Sequence, residues 1–179
     1  IEQTKLLQPA DPLNVDTTFG ALINQGHLEK VQGYLQSGID QGAKLLCGGE
    51  RVMQDTGGYY FTPAVLDAVG PKFKVAQEEI FGPVLSVLTF KDEAEAIKLA
   101  NDSSFGLSSY LASTDVSRIH RVGKKIQSGS MMVFSTNRLE GGNVPIYSEA
   151  HKESGFGRRG GQEGLLAYSA GTTMYLYHD

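Results

Sequence analysis

The chain has 179 residues and a formal net charge of −4 at pH 7, so it lacks the basic face that nucleic-acid binding needs. Its composition, 40% hydrophobic and 20% charged, excludes a disordered chain, and no apolar stretch approaches the ~20 residues of a membrane span. The single cysteine, Cys47, excludes an internal disulfide and a cysteine-rich metal cage, and it favours a reducing, cytoplasmic setting.

The chain begins with an irregular segment and then one helix. Residues 1–23 contain two prolines among Asp, Asn and Thr, which predicts an irregular surface connection. Apolar residues then recur at helical spacing over 24–41, and Asn24 is a suitable N-cap. The predicted buried positions of this helix are Leu28, Val31, Leu35 and Ile39.

Two short strand patterns follow this helix. Residues 43–47 are apolar and end at a Gly-Gly pair, which predicts a strand of four or five residues with Cys47 facing the core. Residues 50–58 are polar and Gly-rich and predict a turn. Residues 59–66 are aromatic and β-branched, but Pro63 lies inside them, so an edge strand or two broken pieces are predicted.

The middle of the chain alternates regularly between strand and helix patterns. Asp92 followed by Glu95 forms a capping box, which places one helix start. Short links between alternating elements predict right-handed βαβ crossovers, and therefore an α/β fold with a mostly parallel sheet and flanking helices. The predicted elements are a strand over 83–90, a helix over 92–101, a strand over 107–112, a helix over 115–127 and a strand over 129–135.

The last part of the chain contains a long loop over 136–160, a short helix over 162–169 and a terminal strand over 172–177. The loop holds a G-x-G-x-x-G pattern at residues 155–160. A dinucleotide loop follows a buried strand, but the residues before 155 are SEAHKE, so a structural glycine turn is the favoured interpretation. A nucleotide-binding module built on this loop is disfavoured for the same reason.

Few residue types in this chain suggest catalysis. Cys47 lies in an apolar strand pattern and is interpreted as a small buried hydrophobe, and no pair of the four histidines has ligand spacing, so no metal site is expected. The clearest local feature is residues 77–83, where two carboxylates and an aromatic precede Gly-Pro. A carboxylate there could accept hydrogen bonds from a ribose diol and Phe81 could pack on a flat ring, although residue types alone favour a solvated loop.

Five segments together resemble the aldehyde dehydrogenase family. QEEIFGPVL at 77–85 is the most specific of them. The others fall in the family's order and spacing, and the resemblance covers essentially the whole chain. They are GAKLLCGGE at 42–50, ANDSSFGLSSYLASTD at 100–115, GSMMV at 129–133 and KESGFGRRGGQEGLLAYS at 152–169.

The resemblance implies oxidation of an aldehyde to a carboxylic acid with NAD or NADP, through a cysteine thiohemiacetal. The family's nucleophile, general base and Rossmann-like cofactor domain lie upstream of every matched segment. No catalytic residue is therefore expected in this chain, Cys47 matches a strand position, and the isolated chain is predicted to be inactive. The chain begins with Ile, which favours a C-terminal fragment; the alternative is a free-standing, non-catalytic assembly or ligand-binding domain.

Five positions take site roles by this resemblance. Glu79 matches the carboxylate that holds the nicotinamide ribose, Phe81 the aromatic beside it, and Leu107 an apolar neighbour of the nicotinamide. Leu139 and Ile146 match positions that line the substrate tunnel. Residues 1–169 are then the C-terminal part of the catalytic domain and residues 170–179 an oligomerisation strand, in a homo-oligomer.

The chain departs from the family pattern where the family reads its substrate. Phe134 follows Val133 where Asn is usual, and residues 145–155 lack two glycines and an aromatic of P-F-G-G-x-K-x-S-G. Gly157-Arg158-Arg159 replaces G-R-E. The substrate class is therefore left open between aldehydes of different shape.

Overall fold

The computed structural model describes residues 1–134 and 148–178. The described residues form two compact units, 1–91 and 92–179, and each is described by itself. The helices of the first unit are α1 (Glu2–Leu6), α2 (Gln25–Asp40) and α3 (Lys74–Gln77), with a 3₁₀ turn at Gln54–Thr56. Its strands are β1 (Lys44–Cys47), β2 (Arg51–Val52), β3 (Tyr60–Phe61), β4 (Ala64–Asp67) and β5 (Val84–Ser86).

Helix α2 organises the first unit. Its start is the predicted one: the Asn24 side chain accepts a hydrogen bond from the His27 backbone N–H at 2.8 Å and satisfies an otherwise free donor of the first turn. The periodic apolar residues face inward, as predicted, and Gly42 ends the region at a φ of 108° that favours glycine. The buried cluster contains Leu28, Val31, Leu35, Ala43, Phe61, Ala64, Leu66, Val69, Val75 and Ile80.

The main sheet of this unit has the strand order β1-β4-β5, with β1 antiparallel to β4 and β4 parallel to β5. Pro63 separates β3 from β4, so the prediction of two broken pieces is confirmed. The prediction of an edge position is wrong for the second piece, because β4 pairs on both sides and lies in the centre. The predicted strand over 83–90 is shorter than expected, only β5 within it being paired, and Leu85 is 59% exposed.

Three other predictions for this unit also need correction. The irregular start contains the five-residue helix α1. The predicted turn over 50–58 contributes β2, which pairs with β3. Cys47 is only partly buried, because β1 is an edge strand and its Leu45 and Leu46 side chains are 41% and 42% exposed.

The second unit contains α4 (Glu93–Asn101), α5 (Val116–Gly123) and α6 (Gly161–Ala167). Its strands are β6 (Phe105–Gly106), β7 (Ser108–Ala112), β8 (Ser130–Phe134), β9 (Ser148–Glu149), β10 (His151–Lys152) and β11 (Arg158–Arg159). Strands β7 and β8 are parallel over five residue pairs, and α5 forms the connection between them, as the alternation predicted. The Asp92 and Asp115 side chains cap α4 and α5 by accepting backbone N–H bonds.

The predicted α/β fold is present, but the mostly parallel sheet is not found among the described residues. Among the described residues the sheets are small, one of three strands and four of two strands. The parallel pairs β4–β5 and β7–β8 are present, and the remaining described pairs are antiparallel. Alternation along the chain predicts parallel crossovers, but it does not say which strand each strand pairs with, since that depends on contacts distant in sequence.

The end of the chain differs from the prediction in two ways. The part of the predicted loop over 136–160 that the structure describes contains β9, β10 and β11. Residues 172–177 form no strand and lie exposed, so the terminal strand is not formed in this chain. The predicted glycine turn is confirmed, since Gly155, Gly157 and Gly160 all have positive φ. Across the described residues, no helix has the length and apolar character that crossing a bilayer requires.

Candidate cofactor-contact site

Residues 78–82, named here the 78–82 segment, link α3 to β5, and the buried Ile80 lies among exposed neighbours. Glu78 accepts a hydrogen bond from the Tyr34 hydroxyl at 2.8 Å. Ile80 is 7% exposed and belongs to the buried cluster. Between and beyond them, Glu79 is exposed and Phe81 is 70% exposed. The segment therefore presents two carboxylates and one aromatic ring to solvent, and the Glu78 carboxylate is the one that is bonded to Tyr34.

The backbone of Phe81 has an unusual conformation. Its φ is 56°, in the left-handed region that bulky side chains rarely adopt, and such a conformation costs of order 1–3 kcal/mol unless its surroundings impose it. The Phe81 carbonyl oxygen lies 2.6 Å from His27 Nε2, and the two rings are 6.1 Å apart at a tilt of 49°. Because a carbonyl can only accept, this contact requires the proton on His27 Nε2.

Gly82 is the last residue of the 78–82 segment, and its lack of a side chain lets the backbone approach α2. A Cβ built on Gly82 would lie 2.4 Å from Val31 Cγ2, and Val31 is fully buried, so a larger residue has no room there. Beyond Gly82, the Pro83 carbonyl accepts from the Ala64 N–H at 2.8 Å. The segment is thus fixed to β4 immediately after it passes α2.

A single stripe of α2 contacts the 78–82 segment at three of its residues. His27, Val31 and Tyr34 are spaced four and three residues apart, which places them on one helix face. Tyr34 contacts Glu78, His27 contacts the Phe81 carbonyl, and Val31 packs against Gly82. The sequence predicts α2 from its buried apolar residues. The same helix also sets the geometry of the candidate site.

The neighbouring carboxylates of Glu78 and Glu79 differ in the groups that contact them. The hydrogen bond to Glu78, followed by burial and the charge of Glu78, raises the pKa of Tyr34. Lys74 Nζ lies 3.9 Å from the Glu78 carboxylate and 4.8 Å from the centre of the Tyr34 ring. Glu79 has no such partner among the described residues, so its carboxylate can accept hydrogen bonds from a diol beside the Phe81 ring.

The sequence predicts site roles for Glu79 and Phe81 and none for His27, which contacts the Phe81 carbonyl. A lone histidine in the first turn of a helix has no ligand spacing, and its contact to Phe81 spans 54 residues of sequence. The spacing of His27, Val31 and Tyr34 places all three on one helix face. The sequence predicts a buried position for Val31 and indicates no role for the two polar residues beside it. Nδ1 of His27 is buried without a hydrogen-bond partner in the described part of the chain.

Leu107 lies in the second unit, between β6 and β7, and is 50% exposed. Its carbonyl accepts a hydrogen bond from the Ser130 N–H at 3.1 Å, in the β7–β8 pairing. The structure thus brings Glu79 and Phe81 together on one segment and places Leu107 in the other unit. Leu139 and Ile146 lie outside the described residues.

A polar cluster fixes the strands on either side of Leu107. The Asn101 side chain donates to the Lys125 carbonyl and accepts from the Gln127 N–H, both at 2.8 Å. Lys152 Nζ donates at 2.9 Å to the carbonyl of Asn101, the last residue of α4, and at 2.8 Å to that of Ser103 beyond the helix. The first of these bonds satisfies a carbonyl that the helix end leaves free. Asn101 and Lys152 are therefore structural residues of two of the five segments that resemble the family, 100–115 and 152–169.

Two further expectations concern cysteine and metals. Cys47 lines a cavity of about 170 Å³ with Thr4, Lys5, Glu50 and Thr62. Within 1–134 and 148–178, no group of three or more His, Cys, Asp or Glu side chains could hold a metal ion.

Comparisons with known proteins agree on one family. The aldehyde dehydrogenase family matches residues 1–174. This chain belongs to the aldehyde dehydrogenase family. A 4-trimethylaminobutyraldehyde dehydrogenase of Rattus norvegicus is 40% identical over 173 residues, which cover 94% of this chain and 34% of that protein. The 4-trimethylaminobutyraldehyde dehydrogenase A of Danio rerio is 39% identical over 180 residues, which cover 98% of this chain and 35% of that protein.

Solved structures support the same family. A crystal structure of an NAD-dependent aldehyde dehydrogenase from Sinorhizobium meliloti is 40% identical with a TM-score of 0.87, and it matches 94% of this chain and 33% of its own. An indole-3-acetaldehyde dehydrogenase in complex with NAD⁺ is 37% identical with the same TM-score, and the shares covered are again 94% and 33%. The chain thus spans about a third of the length of these aldehyde dehydrogenases.

Proposed function

We propose that this chain forms the C-terminal part of an aldehyde dehydrogenase that oxidises an aldehyde to a carboxylic acid with NAD⁺ or NADP⁺. The observation that carries the proposal is the 78–82 segment, on which a free carboxylate and an outward aromatic ring are held by α2. Glu79 accepts hydrogen bonds from the hydroxyls of the nicotinamide ribose, and Phe81 packs beside that ribose. When bound, the cofactor supplies the hydride acceptor.

The other site roles follow from the same family assignment. Leu107 forms an apolar neighbour of the nicotinamide, and Leu139 and Ile146 line the substrate tunnel. Residues 1–169 belong to the catalytic domain and 170–179 to an oligomerisation segment in a cytoplasmic homo-oligomer. Because residues 145–155 depart from the family pattern, the proposal names aldehydes as the substrate class and no single aldehyde.

The first experiment compares this chain with the longer protein to which we assign it. The longer protein should form NADH or NADPH, followed at 340 nm, from at least one aldehyde. The isolated chain should form none, because the proposed nucleophile and general base lie in upstream residues. Turnover by the pure 179-residue chain that Cys47→Ser abolishes would contradict the proposal.

A matched pair of variants in the longer protein tests the role of Glu79. Glu79→Gln loses charge-assisted hydrogen bonds to the ribose, so the hydride step at saturating cofactor should slow by about 10- to 100-fold. Glu78→Gln makes the same charge change one residue away, but its amide oxygen still accepts from Tyr34, so it should stay within about threefold of wild type. Single-turnover kinetics measure the hydride step in both variants. Equal rates would mean that Glu79 is a solvated loop carboxylate without a role in cofactor binding.

A further inference from the structure

We propose that His27 is the positioning residue of the 78–82 segment: its Nε2–H holds the Phe81 carbonyl and so fixes the direction in which Glu79 and Phe81 face. The inference rests on the proposed function, because it matters for activity only if that segment contacts a cofactor. His27 itself touches neither the proposed ribose nor the reacting atoms, so the role is positioning and not catalysis.

Phe81 needs a constraint from outside its own segment. Its φ of 56° is unfavourable for a bulky side chain, and with 70% of the residue exposed the ring gains little from burial in the core. The neighbours Ile80 and Gly82 are fixed by the core and by Val31, but neither holds the peptide plane between residues 81 and 82. The contact of 2.6 Å to His27 Nε2 is made by the carbonyl of that plane.

Hydrogen bonds hold both the backbone and the ring of His27. Its backbone N–H donates to the Asn24 side chain at 2.8 Å, so the residue lies in the capped first turn of α2. A carbonyl partner leaves the proton on Nε2, and Nδ1 then faces a buried environment without a described partner. Rotating the ring would give up the hydrogen bond at Nε2, which fixes one ring orientation.

Glu79 is two residues before Phe81, and the backbone angles between them, including the Phe81 φ of 56°, set the angle between the two exposed side chains. If the 81–82 peptide loses its bond to His27, Phe81 can leave that φ, which turns the carboxylate and the ring relative to each other. Hydrogen-bond geometry to a diol is lost with displacements of about 1 Å, so cofactor affinity should depend on His27 without contact between them.

The test uses three variants of the longer protein, His27→Gln, His27→Asn and His27→Leu. The Gln amide nitrogen reaches about as far as imidazole Nε2 and can replace its hydrogen bond, whereas the Asn amide is too short and Leu has no donor. The KM for NAD⁺ or NADP⁺ should rise about five- to tenfold in His27→Asn and His27→Leu and stay within about threefold in His27→Gln. The KM for the aldehyde should not change.

A purely structural role would lower Tm in all three variants without separating the two KM values. ¹⁵N spectra of histidine-labelled wild-type protein should show His27 protonated at Nε2 and unprotonated at Nδ1. A cofactor KM in His27→Asn equal to that of wild type, or a proton on Nδ1 instead of Nε2, overturns the inference alone. A wild-type protein that oxidises no aldehyde with either cofactor overturns the proposed function, and the inference with it. If His27→Leu fails to fold, the Gln and Asn pair still decides.

Discussion

At the scale of single residues, Glu93 is a surface carboxylate bound by two arginines. Arg121 binds it through two hydrogen bonds of 2.6 and 2.7 Å, and Arg118 lies 3.6 Å away. The hydrogen bonds from Arg121 are the main cause that lowers the pKa of Glu93 below its ordinary value of 4.5. The pair joins the first turn of α4 to the last turn of α5, where the helix dipoles favour these charges.

We expect Glu93→Gln to lower Tm at pH 7, by an amount that shrinks as the pH falls. A carboxylate whose pKa is lower in the folded state stabilises it above the ordinary pKa of 4.5, and this is lost as the pH falls through the lower folded value. Glu153→Gln is the matched control, because this exposed carboxylate makes no described ion pair and its removal changes net charge equally. A Tm difference between the variants that does not vary with pH would contradict the assignment.

At the scale of elements, the contact between α2 and the 78–82 segment depends on a missing side chain. Gly82→Ala would drive a Cβ to 2.4 Å from the fully buried Val31, so unfolding free energy should fall by about 1–3 kcal/mol. Gly33→Ala, in the exposed middle of α2 with no atom within 4 Å of its Cβ, should raise it by about 0.5–1 kcal/mol. Urea unfolding of both variants measures the difference, and equal effects would mean that the segment yields to the added methyl.

The same elements show what the sequence can and cannot predict. Helix α2 and its Asn24 cap were predicted because capping and periodicity act within a few residues. The central place of β4 was not, because strand order depends on partners far along the chain. Glu79 and Phe81 were found by resemblance, but the left-handed φ of Phe81 and its bond to His27 have no local signature.

At the scale of the whole molecule, the unpaired C-terminal residues are the feature with most consequence for association. Met174, Tyr175 and Leu176 are 76–78% exposed and Tyr177 is 92% exposed, in an uncharged stretch with high strand propensity. Backbone groups without partners in such a stretch favour pairing with a second copy. The sequence predicted a strand there, and the structure has none, since a strand forms only when a partner supplies its hydrogen bonds.

We therefore expect the intact chain to self-associate with rising concentration, and a chain truncated after Ala170 to do so less. Leu176→Lys tests the same segment without truncation, because a charge on an edge strand disfavours pairing. Sedimentation over a wide concentration range measures all three proteins. The same monomeric mass for the intact and truncated chains would mean that residues 171–178 fray in solution and pair with nothing.

The stripe of α2 that contacts the 78–82 segment has a consequence for how the length of this protein can change. Each residue of a helix turns the chain by about 100°. Deleting or inserting one residue between His27 and Tyr34 would carry one of the two anchors to another face, so the segment could keep its bond to Glu78 or to Phe81 but not both. Residues 7–23, which contain no helix or strand, could vary in number without that penalty. Length variation among relatives that preserve this contact is therefore confined to the residues outside the interval 27–34.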